Sequence, residues 1–160
     1  MVQYNRMIDD VGKGRAVVRT FTAQLAMVNG MVTALIAAPP FPFRVKRVMT
    51  GSSVATDITG VFDVMVLAPD TDLDTAPAVG NRIIAAQAAF ADKKMHDRTL
   101  VGGATGVADQ KQAAGSLVVA QLNHNAILGT GLINVLVELD AVGTPFGAYD
   151  GQSDSEGAYG

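Results

Sequence analysis

Near the end of the chain, apolar and polar positions alternate with little interruption. In the stretch 131–143, Ile133, Val135, Val137 and Leu139 fall on every second position, while Leu132, Asn134, Leu136, Glu138 and Asp140 occupy the places between. Alternate side chains of a strand point to opposite faces, so this spacing makes one face wholly aliphatic and lets the other turn polar. A helix would place Asn134 and Glu138 among the apolar residues. The spacing predicts a β-strand with one buried face, bracketed by Gly131 and Gly143.

The same period recurs upstream. Residues 15–22 alternate Ala16, Val18 and Thr20 against Val17, Arg19 and Phe21, and their β-branched and aromatic content favours a strand. Residues 23–28 suit either a strand or one helical turn. A second strand, 31–38, is entered through the turn signal Asn29-Gly30. Pro39, Pro40 and Pro42 then hold the chain extended and deliver it into 43–49, where Phe43, Val45, Arg47 and Met49 oppose Arg44, Lys46 and Val48. Phe62, Val64 and Val66 share a face of the strand 61–67, and 115–122 reads as a further strand.

Between these lie segments of other texture. Residues 51–60 read as a loop of small residues, and 68–80 as a loop by its closely spaced Pro and Asp. The Ala-rich stretch 81–92 is expected to form a short helix, on intrinsic propensity and on the spacing of Ile84, Gln87, Ala88 and Ala91; Lys93 to Asp97 continues it as polar surface. The expected organisation is an N-terminal arm over 1–14, a β-sandwich domain over 15–142 and a flexible C-terminal tail over 143–160. The tail holds five glycines and three acidic residues. Short strands with alternating faces and no helical crossovers imply an all-β fold, an antiparallel jelly-roll-like β-sandwich with extended termini and at most one short helix.

Composition narrows the chemistry. The chain of 160 residues contains no cysteine, which removes disulfides, thiolate metal sites and cysteine nucleophiles. A net charge of -3 opposes a general nucleic-acid partner, since phosphate binding calls for a basic excess. The longest weakly polar run, 25–43, is broken by Asn29, Gly30 and three prolines, short of the roughly 20 continuous apolar residues of a membrane span. No basic region followed by an apolar core opens the chain, so no secretory signal is expected.

Few residues remain for a reactive site. Asp70, Asp72 and Asp74 alternate as in a calcium loop, but Thr75-Ala76-Pro77 follows, and no Glu is placed to complete the oxygen shell. The glycines at 102, 103 and 106 suggest a phosphate loop without its Lys-Ser/Thr pair. His96 and His124 are the only histidines and form no H-x-H pair, so a metal-dependent jelly-roll enzyme is disfavoured. Arg44, Lys46 and Arg47 form a short positive cluster without the aromatic series that stacks on single-stranded bases. No catalytic residue, cofactor or metal site is expected.

The order of these segments resembles a known group. An apolar strand and proline turn at 39–42 lead to "FRVKRVMTGSS" and "TGVFDVMVL"; a long connection, "GSLVVAQL" and "GLINVLVELDAVG" follow. Over 31–142 the chain is similar to the small jelly-roll virion proteins of tailed bacteriophages, of head decoration (cement), head-fibre or tail-fibre-tip type. The resemblance implies a non-enzymatic capsid decoration protein on the virion surface, made in the host cytoplasm, with the major capsid protein and itself, as a homotrimer, for partners. A fibre-tip module binding a receptor or carbohydrate is the alternative, set back by an aromatic content of 6% and no Trp. Terminal arms grip the shell in such proteins. Here Tyr4, Met7, Ile8 and Val11 are the candidate apolar anchors, more apolar than a solvated tail requires.

Overall fold

The computed structural model describes residues 17–28, 30–90, 92–124 and 131–142. Eight strands follow one another: β1 Val17–Ala26, β2 Gly30–Ala37, β3 Phe43–Ser52, β4 Thr56–Leu67, β5 Gln87–Phe90, β6 His96–Arg98, β7 Leu117–His124 and β8 Leu132–Ala141. They form two four-stranded sheets of order β1-β8-β3-β6 and β2-β7-β4-β5. Every strand pair is antiparallel. Consecutive strands alternate between the sheets except for β4 and β5, which are neighbours in one sheet, and the last strand returns beside the first. This is the winding of a jelly roll, two Greek keys folded face to face.

The last strand holds the centre of its sheet, with β1 on one side and β3 on the other. Its four alternate aliphatics, Ile133, Val135, Val137 and Leu139, are fully or almost fully buried. Full burial of each such side chain contributes about 1.5–3 kcal/mol. Opposite them stand Phe62, Val64 and Val66 of β4 and Val118, Ala120 and Leu122 of β7, in the same core cluster. The Phe62 and Phe90 rings meet edge to face with centroids 5.9 Å apart.

Three local expectations are corrected. No helix occurs among the described residues, and the Ala-rich segment lies extended along β4. Ile83 N donates to Val64 O, Val66 N donates to Asn81 O, and Gln87–Phe90 completes the edge as β5. Both Ile83 and Ile84 are buried, which a solvent-facing helix would not allow. Tertiary burial here outweighs the helix propensity of alanine, a fraction of a kcal/mol per residue. The expected loop 51–60 is mostly strand: Gly51 and Ser52 pair with Asn134 and Ile133, and β4 starts at Thr56. Glycine is required at 51, where a Cβ would stand 2.6 Å from Lys94 O and 2.8 Å from Met95 Sδ. Lastly, β3 does not alternate uniformly. A bulge between Val45 and Arg47 shifts the phase, so Phe43, Val45, Val48 and Thr50 face inward.

Candidate assembly surface

The bulge in β3 gathers charge on the outer face of the β1-β8-β3-β6 sheet. With Val48 instead of Arg47 facing the core, Arg44, Lys46 and Arg47 are all exposed. Arg47 takes Asp97 in a two-pronged grip, Nε to Oδ1 at 2.6 Å and Nη2 to Oδ2 at 3.0 Å, and reaches Glu138 at 3.5 Å. That hydrogen bond, then the opposite charge, holds the Asp97 carboxyl below its ordinary range and raises Arg47. Both side chains are solvent-accessible, so the pair adds little stability.

Beside this charged area the face is mixed. Gln24 Nε2 donates to Asn134 Oδ1 across the β1–β8 pair. Thr22, Gln24, Asn134 and Leu136 line an open depression of about 560 Å³ walled by Met95. At one end of the face, Val18 stands across from Asp140, and Asp140 across from Arg44. The Oδ1 of Asp140 is buried and has no hydrogen-bond partner among the described residues. Because Val17 pairs with Ala141 and Ala141 with Phe43, segments 1–16 and 143–160 both join the sandwich at this same end.

The outer face of the β2-β7-β4-β5 sheet is built differently. Residues 68–82 lie across it as a strap, although composition makes 68–80 only a loop and places Asn81 and Arg82 in the expected helix. Met65, Leu67 and Val119, which point away from the core, are buried in a second apolar cluster beneath it. Arg82 Nε reaches Asp63 Oδ1 at 2.6 Å, with the Asp63 side chain 3% exposed and that of Arg82 24%. Gln121 Nε2 donates to Thr75 O, and Thr33 Oγ1 to Asp74 Oδ1. The signal for this cover was present in 61–67, whose near-continuous apolar run fits a strand buried on both faces.

Beyond the strap, apolar side chains remain at the margins. Strand β2 ends its sheet, pairing among the described residues only with β7, and carries Met31 and Leu35 at 46% and 47% exposure. Strand β1 ends the other sheet, with Val18 exposed, and β1 and β2 lie close together. Among the described residues, two long strand edges are thus open on one side of the sandwich. Sequence reasoning passed over β2 as a site, although a strand of eight residues without one charge carries that signal.

The sequence-derived candidates fall as follows. Tyr4, Met7, Ile8 and Val11 lie outside the described residues. Asp70, Asp72 and Asp74 are exposed on the strap, where Asp72 Oδ1 accepts from the Asp74 N–H and Asp74 holds Thr33. Among the described residues no three His, Asp or Glu side chains converge as a metal site would need. His96 Nε2 lies 2.7 Å from Asp92 Oδ1, and this hydrogen bond lowers the Asp92 pKa. The side chain of His124 is outside the described set. At the glycine loop, the Gly103 N–H points at both carboxylate oxygens of Asp109, each 3.3 Å away, occupying the donor that a phosphate would take.

No protein-family model matches the chain, and no curated protein matches it in sequence. Among solved structures, the chain is similar to one from the cyanophage Pam1 capsid asymmetric unit, with 18% identity and a TM-score of 0.45, covering 79% of this chain and 86% of that one. A chain of the acid-stable capsid of Helicobacter pylori bacteriophage KHP30 gives 17% identity and a TM-score of 0.39, over 79% and 91% of the two chains. One of infectious bursal disease virus, Gx strain, gives 14% and 0.35, over 82% of this chain and 38% of that chain. These are likenesses of chain trace at low identity. The fold assignment stands on the strand order itself: the described residues form an eight-stranded jelly-roll sandwich.

Proposed function

We propose that this chain is a structural, non-enzymatic component of a virus particle, a decoration (cement) protein on the outer surface of a phage head. The observation that carries the reading is the pair of open strand edges, β1 and β2, side by side on a compact jelly roll and bordered by exposed Val18, Met31 and Leu35. Unpaired edges with apolar margins are assembly surfaces or aggregation hazards, and proteins that keep them bury them against other chains. The partners in this reading are the major capsid protein and further copies of the chain, assembled as a trimer.

Attachment runs through the N-terminal segment as well as the sandwich. Fully extended, residues 1–16 span about 53–58 Å. Ordering them costs about 1–2 kcal/mol per residue in backbone entropy, so the arm needs contacts. Tyr4, Met7, Ile8 and Val11 supply apolar ones. The carbohydrate-binding alternative has less support, because Phe41, Phe43, Phe62 and Phe90 are buried and unable to stack on a sugar ring.

The test is decoration of purified, undecorated heads by the full chain and by a variant lacking Met1 to Gly14. Electron microscopy and binding curves should show the full chain on the shell, raising the temperature of genome release. The truncated sandwich should remain folded by circular dichroism but bind more weakly. Equal binding by both forms removes the arm from the reading; no binding by either, to heads or tails, removes the reading itself.

A further inference from the structure

The β2 edge has a property that goes beyond attachment to a shell: it is complementary to itself. From Met31 to Leu35 the strand is regular, and each residue pairs in register with β7 on its inner side. A bulge between Leu35 and Ala37 then breaks the ladder and turns Ile36 and Ala37 into the core. The regular part therefore offers a straight edge of five residues centred on Thr33. It bears no charge, so two such edges approach without repulsion. Met31 and Leu35, the exposed apolar residues of the strand, stand at equal distances on either side of Thr33.

We infer that two copies of this chain join edge to edge through β2, antiparallel about a two-fold axis at Thr33, making one continuous eight-stranded sheet. An isologous contact requires that residue i of one copy meets residue j of the other and the reverse. With the axis at Thr33, each Met31 stands opposite the second copy's Leu35, and the two Thr33 residues face one another. Apolar and Thr–Thr cross-strand pairs each favour antiparallel pairing. The outward-pointing N–H and C=O groups of alternate residues along this edge gain ladder hydrogen bonds in place of water. Both straps stay on the same outer face of the joined sheet, and Asp74, already bonded to Thr33 Oγ1, is carried beside the seam.

The contact does not depend on the chain being a virion component, and it can coexist with a three-fold assembly through other surfaces. It then links trimers in pairs, so the mass in solution is an even multiple of 16.6 kDa. The competing occupant of the edge is the chain's own N-terminal segment, which would leave no seam between copies.

The absence of cysteine makes the geometry directly testable in the full-length chain. Residues opposite each other in an antiparallel pair have Cα atoms about 4.5–5.5 Å apart, within disulfide reach. Thr33→Cys should therefore cross-link to a covalent dimer under mild oxidation at micromolar concentration. Val79→Cys, at the most exposed of the large apolar positions and away from the edge, is the collision control and should not. With the axis at Thr33, two Met31 residues are offset by four positions, about 13 Å along the strand. Differently tagged Met31→Cys and Leu35→Cys chains, mixed before oxidation, should thus give the hetero-linked product in excess over either self-linked one. Thr33→Lys sets like charges face to face and should halve the mass seen by light scattering, with an unchanged circular dichroism spectrum. Cross-linking of Thr33→Cys no faster than the control, or no preference for the hetero-linked product, overturns the two-fold seam.

Discussion

Replacing Arg82 by methionine tests whether the strap is fastened by its ion pair or only by apolar cover. The Asp63 side chain is 3% exposed, and its contact with Arg82 Nε at 2.6 Å is its only ion pair among the described residues. Methionine keeps most of the volume but leaves a buried carboxylate without a counter-charge, which costs about 3–5 kcal/mol in comparable cases. The reverse change, Asp63→Leu, strands a guanidinium that is already a quarter exposed and can turn into water. Its cost should be smaller, about 1.5–3 kcal/mol, the scale of a lost hydrogen bond to a charged group. The double variant replaces the pair by apolar groups beside Met65, Leu67 and Val119, and should recover most of the loss. With no Trp in the chain, urea unfolding is best followed by far-ultraviolet circular dichroism, and the four proteins compared as a double-mutant cycle. The reasoning requires a large coupling term and the order Arg82→Met worse than Asp63→Leu. Equal single costs that simply add in the double variant would refute it, and would mean the strap is held without the pair.

Further outcomes follow from the core and the surface. Phe62→Ala, at a fully buried ring against Phe90, should lower stability by about 3–5 kcal/mol in the same urea assay, whereas Thr20→Ala on an exposed position should change it little. The Asp92 and Asp97 carboxyls are held below their unfolded values by hydrogen bonds from His96 and Arg47 respectively. Their contribution is therefore present above the ordinary carboxylate range and lost as pH falls through the depressed folded values. Because both groups lie at the surface the effect on stability is small, and carboxyl titration by NMR is the measurement that reads it. Chelator should leave the melting temperature unchanged; a fall of many degrees restored by calcium would mean that Asp70, Asp72 and Asp74 do hold an ion.

What could be read without the structure is what depends on near neighbours in the chain. The period of two in Ile133, Val135, Val137 and Leu139 marks β8 because a strand with one buried face has no other way to be written. The same logic located β2, β7 and the core face of β4, and the lack of helical crossovers pointed to an antiparallel sandwich. Pairing order is different in kind. That β8 inserts between β1 and β3, more than a hundred residues from its β1 partner, is decided by contacts that no local pattern encodes.

The departures share this cause. The alanines of 81–92 prefer a helix in isolation, yet β4 offers an open edge, and Ile83 and Ile84 gain more from burial than propensity costs. A simple alternation in β3 would send Arg47 inward; the bulge spares it that burial and gives it Asp97 instead. The strap looks like solvent-facing loop because its own residues are polar and turn-forming. What it covers, Met65 and Val119, lies on other strands. Whether β2 is an interior strand or an open edge likewise depends on which strands fill the sheet beside it, and only the assembled sheet decided that Met31 and Leu35 border an edge. The chain thus wrote its strands locally, while its surfaces were settled by the partners each strand found.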